Sequence, residues 1–130
     1  MKNILKGVFL FCFISMGIMS CSNNDDALSY KNNALSGIWH LTQYGGGFTG
    51  QFTSYDKGSV TWNFDTINTT VSIKSKKNYF GPASGCYPYE LRQTENEVIL
   101  YLNDSVNGRL FVEKNELSFE KALSATFKRY

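Results

Sequence analysis

The sequence predicts an all-β domain over residues 35–130, folded as an eight-stranded up-and-down antiparallel barrel. Three observations support this prediction. Apolar and polar residues alternate from Leu35 onward, and turn signals recur roughly every twelve residues. Aromatic residues, which favour strands, make up 15% of the 130-residue chain. The last apolar strand ends in Arg129, whose charge requires a specific partner within the fold. An open β-sandwich is the alternative architecture.

The first residues are typical of an export signal. Lys2 and Lys6 form a basic start, and an apolar run follows over residues 7–19. This run is shorter than the ~20 apolar residues that a membrane-spanning helix needs. A basic start, a short apolar stretch and small residues at its end together predict a secretory signal peptide over residues 1–20.

The end of this segment carries a more specific motif. Ile18-Met19-Ser20-Cys21 resembles the lipobox of bacterial lipoproteins. The resemblance implies cleavage before Cys21, a diacylglycerol thioether on its sulfur and an acyl chain, such as palmitate, on its new amine. Ser22 is not the aspartate that often retains such lipoproteins in the inner membrane, so we expect an anchor in the bacterial outer membrane, on the periplasmic or the cell-surface side. The alternative is an ordinary signal peptide that is cut elsewhere.

Residues 21–34 are predicted to form a lipidated flexible tether, because they are polar, aperiodic and rich in Asn, Ser and Asp. Loss of the signal peptide removes Lys2 and Lys6, so that 13 Lys and Arg become 11 and balance the 11 Asp and Glu. Cys12 is lost with the same segment and Cys21 is committed to lipid, which leaves Cys86. We therefore expect a charge-neutral domain that its core stabilises without a disulfide.

Eight strands are predicted after this tether, and no segment shows a sustained helical period. Their ranges are 35–44, 59–65, 70–75, 84–92, 97–103, 107–112, 116–120 and 123–129. Because successive side chains of a strand face opposite sides, the alternation defines an inward-facing set. This set comprises Leu35, Gly37, Trp39, Leu41, Val60, Trp62, Phe64, Val71, Ile73, Tyr87, Tyr89, Leu91, Val98, Leu100, Leu102, Leu110, Val112, Leu117, Phe119, Leu123, Ala125, Phe127 and Arg129.

Alternate connections of an up-and-down meander lie at opposite ends of the barrel. The connections 45–58, 76–83, 104–106 and 121–122 share one end, which we call the long-loop rim. The shorter connections 66–69, 93–96 and 113–115 share the other, the tight-turn rim. Trp39 and Arg129 both fall at the tight-turn rim. If the first strand pairs with the eighth, Arg129 can lie over the Trp39 ring as a cation–π pair, so the two residues predict closure.

The first strand and the last strand carry a resemblance to a known family. Leu35-Ser36-Gly37-Ile38-Trp39 looks like the Gly-x-Trp opening of lipocalin-like proteins, and Arg129 stands where that fold places its Trp-covering arginine. Residues 60–64 and 70–73 are similar to those of short bacterial lipocalin-like lipoproteins. The resemblance covers residues 35–130 and implies a barrel that Gly37, Trp39 and Arg129 help to close. The second lipocalin motif and the C-terminal helix of the family are missing.

Residues that could carry catalysis are few. His40 is the only histidine and is predicted to face outward, without a partner for a Ser-His-Asp or Cys-His site. Cys86 is also predicted to face outward, with no cationic neighbour in sequence. The glycine-rich residues 45–50 lack the lysine and the following helix of a phosphate loop. We expect no enzyme activity, no metal site and no cofactor. We also expect no nucleic-acid partner, because the exported domain is neutral and the basic run 74–77 is short.

The long-loop rim is where a binding site is expected, because its loops carry aromatic side chains that contact ligands or partners when exposed. An eight-stranded barrel is either filled by its own side chains or wide enough for one small ligand. The leading hypothesis is a membrane-anchored barrel that binds a small hydrophobic or aromatic ligand. The ligand-binding residues would be Tyr44, Phe48, Phe52, Tyr55, Trp62, Tyr79, Phe80, Tyr87 and Tyr89. The alternative is a protein-interaction lipoprotein of the cell envelope with a filled barrel.

Overall fold

A computed structural model describes residues 23–130, with side chains from Leu28 onward. Within this range one α-helix, α1 (Asn23–Leu35), precedes the strands. These are β1 (Gly37–Gly46), β2 (Gln51–Ser54), β3 (Val60–Asp65), β4 (Thr70–Ser75), β5 (Gly85–Gln93), β6 (Val98–Leu102), β7 (Ser105–Glu113), β8 (Glu116–Glu120) and β9 (Ser124–Lys128). The predicted signal peptide over residues 1–20 and the predicted lipidation site Cys21 lie outside the described residues. In the part described, no helix is long and apolar enough to cross a membrane.

Eight of these strands close into an antiparallel up-and-down barrel. Each strand from β3 to β9 pairs with the next along the chain, β1 pairs with β3, and β9 pairs back onto β1. The β1–β9 ladder runs from His40 opposite Lys128 to Gly45 opposite Ser124. The predicted barrel is therefore confirmed and the sandwich alternative is wrong. Closure pairs the two strands whose edges an open sheet would expose.

The core lies inside the barrel and follows the alternation of the sequence. In β3, Val60, Trp62 and Phe64 are buried while the residues between them face out or are half-buried. Every member of the predicted inward set is buried or half-buried except Leu123. Leu123 is 38% exposed because β9 begins one residue later, at Ser124, and leaves Leu123 in the turn at the long-loop rim.

The prediction of a flexible tether over residues 21–34 is wrong from Asn23 onward, where the chain forms α1. The predicted first strand over 35–44 consequently begins at Gly37 instead of Leu35. The helix lies across the tight-turn rim and contacts β5 and β7. Leu35, its last residue, is fully buried, and the Tyr89 hydroxyl donates a hydrogen bond of 2.7 Å to Asn32 Oδ1. A helical cap therefore covers this end of the barrel.

The predicted pairing of Arg129 with Trp39 is confirmed. The guanidinium carbon of Arg129 lies 4.0 Å from the centroid of the fully buried Trp39 ring. Both side chains also bind the last carbonyls of α1, which have no partners within a helix. Arg129 donates to the Ala34 carbonyl at 2.5 Å, and Trp39 Nε1 donates to the Leu35 carbonyl at 2.8 Å. The cap is thus joined to the first and last strands of the barrel.

The predicted loop 45–58 contains a strand that the sequence did not reveal. β2 pairs with the second half of β1, from Gln43 opposite Ser54 to Gly46 opposite Gln51, and all four of its residues are exposed. A 3₁₀ turn over Gly47–Thr49 joins the two strands. Gly45 has a φ of +147°, and a Cβ there would collide with the Gln51 carbonyl oxygen. Glycine at this position therefore permits the hairpin that extends the long-loop rim.

Candidate ligand-binding mouth

The two ends of the barrel differ in access. α1 lies across the tight-turn rim, with open grooves of about 360 and 740 Å³ beside it, whereas the long-loop rim opens into a cavity of about 320 Å³ that reaches down to Trp62 and Phe127. Aromatic side chains form one wall of this cavity, namely Tyr44, Trp62, Tyr79 and Phe80. A second wall comes from β7 and from the turn between β8 and β9, and it includes Asn107, Lys121 and Leu123. We call this opening the mouth.

The floor of the mouth is a packed cluster of three rings. The Trp62 centroid lies 5.3 Å from that of Phe119 and 5.1 Å from that of Phe127, and the latter two are 5.7 Å apart. Such tilted and edge-to-face arrangements are the favoured geometries of aromatic pairs. The cavity therefore stops at this cluster, and the half of the barrel near the cap is filled by its own side chains.

Tyr79 closes part of the mouth. The loop between β4 and β5 turns inward, so that Trp62 Nε1 donates to the Tyr79 hydroxyl at 3.3 Å. The same hydroxyl donates to the Pro82 carbonyl at 2.6 Å. Burial raises the pKa of Tyr79 to about 12, so the hydroxyl keeps its proton and remains a donor even above pH 10. A side chain at Gly81 would clash with the Tyr79 ring, which shows how tightly this loop folds around it.

Tyr44 supports the inward loop from β1. Its ring lies edge-on to Tyr79 at 6.0 Å and stacks on Phe80 at 6.5 Å, and its hydroxyl donates to the Phe80 carbonyl at 3.4 Å. Burial, with a smaller effect of neighbouring Tyr55, raises the pKa of Tyr44. Tyr55 itself packs edge-on behind Tyr79 at 6.5 Å. These contacts hold the aromatic wall in place.

Exposed apolar side chains lie at this end of the barrel, and we call four of them the apolar collar: Phe48, Phe52, Phe80 and Leu123. Phe48 is fully exposed at the tip of the β1–β2 hairpin, and Phe80 is 88% exposed. A shallow groove of about 560 Å³ runs between the hairpin tip and Leu123. Large apolar groups gathered at one end of a domain indicate a contact surface.

The predicted ligand-binding residues differ in where they lie relative to the cavity, and Phe80 belongs both to its lining and to the apolar collar. Tyr44, Trp62, Tyr79 and Phe80 line the cavity, Phe48 and Phe52 belong to the collar, and Tyr55 lies behind Tyr79. Tyr87 is half-buried outside the cavity lining, with its hydroxyl bound to the Ala83 carbonyl at 2.8 Å. Tyr89 is not at the mouth at all, since it binds the cap at the other end and packs edge-on against Phe64 at 5.3 Å.

Two polar residues that line the mouth, Asn107 and Lys121, were not among the predicted ligand-binding residues. Asn107 lies at a β-bulge, because Leu100 of β6 faces Gly108 whereas Tyr101 faces Val106. A bulge changes the direction of a side chain in a way that strict alternation does not show. Lys121 lies in the β8–β9 turn, where a lysine is an ordinary solvent-exposed residue. No sequence signal distinguished either residue.

The other candidate residues lie away from the mouth. His40 is half-buried and edge-on to Tyr130 at 5.2 Å. Burial, and to a smaller degree the charge of Lys57, lowers the pKa of His40. Cys86 is exposed, as its parity predicted, and no other described residue forms a disulfide with it. Among the residues that the structure describes, no three His, Cys, Asp or Glu side chains gather as metal ligands would.

Comparison with known proteins adds no assignment. No protein-family model matches the chain, and searches of curated proteins and of solved structures find no significant match.

Proposed function

We propose that this protein is a lipid-anchored, lipocalin-like binding module that holds a small hydrophobic or aromatic ligand in the mouth of its barrel. The observation that carries the proposal is the cavity of about 320 Å³, which has an aromatic wall and opens at the long-loop rim. This volume falls within the ~300–1,000 Å³ range of small-molecule sites. The lipobox-like motif at Cys21 and the predicted signal peptide support a lipid anchor, and Ser22 after the cysteine favours the outer membrane.

Binding in this site would be driven by burial of apolar surface against the ring cluster. Tyr44 supplies a polar group on the aromatic wall, because its hydroxyl makes only a long hydrogen bond, of 3.4 Å, to the Phe80 carbonyl. A few such polar groups among aromatic side chains orient a ligand in an otherwise apolar site. Because the proposal needs only burial and orientation, it assigns no bond-making chemistry to the protein.

The proposal is tested by titrating residues 22–130 with N-phenyl-1-naphthylamine, a neutral aromatic probe that fluoresces in apolar sites. This fragment contains the whole barrel with its core and cap, and cooperative thermal unfolding checks that it is folded. We expect saturable binding of one probe, with a dissociation constant on the order of 10–100 μM for a ligand of this size.

A cavity-filling variant shows whether the probe binds in the mouth. Ala125→Leu places a larger side chain on the cavity wall and should abolish saturation. Lys128→Leu adds a leucine to an exposed position of the same strand and should bind like the parent protein. Absence of saturable binding to the folded parent protein would refute the proposal.

The apolar collar favours a second candidate function, docking of another cell-envelope protein. Pull-down with the anchored protein should then enrich one envelope partner. The double variant Phe48→Ser, Phe80→Ser should lose that partner. Ile67→Ser, which removes a 91% exposed side chain at the tight-turn rim, should keep it. Equal enrichment by both variants would contradict this alternative.

A further inference from the structure

We infer that the ligand of the mouth is an anionic amphiphile, an apolar body with one negatively charged oxygen group held by Lys121 and Asn107. This inference rests on the proposed ligand-binding function and adds the chemical class of the ligand. The observation behind it is that the two walls of the cavity differ in chemistry, since Lys121 and Asn107 both belong to the second wall.

Lys121 is the only charged residue among the described residues that line the cavity. Its ammonium group donates only a long hydrogen bond, of 3.4 Å, to the Val106 carbonyl on the same wall. Within residues 28–130 it forms no salt bridge. The adjacent carboxylate, Glu120, is already bound to Arg109 at 3.1 Å. The lysine charge is therefore available to a ligand.

Asn107 brings a neutral hydrogen-bonding group to the same place. Its neighbour Val106 supplies the carbonyl that Lys121 contacts, so the amide and the ammonium group share one wall. Asn107 is the unpaired residue of the β6–β7 bulge, and bulges commonly redirect side chains next to binding sites. An amide NH₂ and an ammonium are both donors, and an anionic oxygen accepts from both.

The remaining groups of the mouth favour the same ligand class. No Asp or Glu of the described residues lines the cavity, so an anion meets no repulsion there. The aromatic wall, with Tyr44, Tyr79 and Phe80, offers apolar faces to the same ligand. An uncharged apolar ligand would gain nothing from the lysine charge, and a cationic ligand would be repelled by it. A ligand with an apolar body and one anionic group can pack against the aromatic wall and bind Lys121 and Asn107 at the same time.

The test compares two probes that share one aromatic body. N-phenyl-1-naphthylamine is neutral, and 1-anilinonaphthalene-8-sulfonate carries a sulfonate in addition. Titration of residues 22–130 should show tighter binding of the anion, by about threefold to tenfold for one partly exposed charge-assisted contact. Lys121→Gln should remove this preference and leave the affinity for the neutral probe unchanged. Lys114→Gln, which removes an exposed lysine at the tight-turn rim, should retain it.

Two further measurements test whether the preference for the anionic probe is electrostatic. Asn107→Asp is isosteric but introduces a negative charge, so it should weaken binding of the anion and spare the neutral probe. Added salt should weaken the anion in the parent protein and much less in Lys121→Gln. Equal affinities of the two probes in the parent, or an anion preference that survives Lys121→Gln, would overturn the inference while the ligand-binding function stands. Failure of both probes to bind would overturn the two together.

Discussion

Replacement of Arg129 by alanine tests how the barrel is closed. The change removes a cation from the face of the buried Trp39 ring, at 4.0 Å, and a hydrogen bond to the Ala34 carbonyl at the end of α1. A desolvated cation–π contact contributes about 2 kcal/mol, and a charge-assisted hydrogen bond contributes about 1.5 kcal/mol or more. Allowing for partial exposure of the arginine, we expect Arg129→Ala to lower the free energy of unfolding by about 3 kcal/mol.

For a domain of this size that loss corresponds to a fall of about 12 °C in melting temperature, which calorimetry or circular dichroism of residues 22–130 measures. Arg129→Lys keeps the charge but lacks the planar fork of donors, so it should lose about half as much. Lys128→Ala removes an exposed neighbour and should change the free energy by less than about 0.5 kcal/mol. An Arg129→Ala protein that melts within about 2 °C of the parent would refute this account of closure.

Three further predictions concern the mouth, two tyrosines with raised pKa values and the hairpin. Tyr79→Phe deletes the acceptor of Trp62 Nε1 and should lower the free energy of unfolding, measured in urea titrations, by about 1–2 kcal/mol. An unchanged urea midpoint would argue against the inward position of the β4–β5 loop. Burial raises the pKa of Tyr79 and Tyr89 to about 12 from 10.0, so with rising pH the unfolded chain releases these protons before the folded protein does. Their contribution to the free energy of unfolding is therefore complete below pH 10 and should be lost as the pH rises towards 12. Urea midpoints that stay constant across this window would contradict their burial. Gly45→Ala should lower the melting temperature more than Gly58→Ala. Both glycines have a positive φ, but only a Cβ at position 45 would also collide with neighbouring backbone atoms. Equal losses would mean that the backbone conformation, and not the collision, requires glycine at position 45.

The barrel was predictable because burial imposes a period of two on each strand. The alternation of Val60, Trp62 and Phe64 specified which side of β3 faces the core, and the same argument held for almost every strand. The pairing of Trp39 with Arg129 followed because a charged residue on an apolar face needs a partner, and closure brings the first and last strands together.

The helix and the polar side of the mouth were not predictable in this way. α1 is polar along most of its length and is held by a few contacts, such as Asn32 with Tyr89, which leave no periodic pattern. The direction of Asn107 depends on a bulge, which is a property of the pairing of two strands and not of either strand alone. The position of Tyr79 depends on how a loop folds over Trp62, and loop conformation carries no simple period.

The helical cap also has a consequence for the orientation of the protein on a membrane. The chain enters the barrel through α1, at the end opposite the mouth, and only Ser22 separates Asn23 from Cys21. That short connection spans less than about 10 Å even when extended. With the predicted lipid on Cys21, the capped end would stand next to the bilayer, and the mouth with its apolar collar would point into the aqueous space. Ligands and partners would then arrive from solution, not by lateral diffusion from the anchoring leaflet.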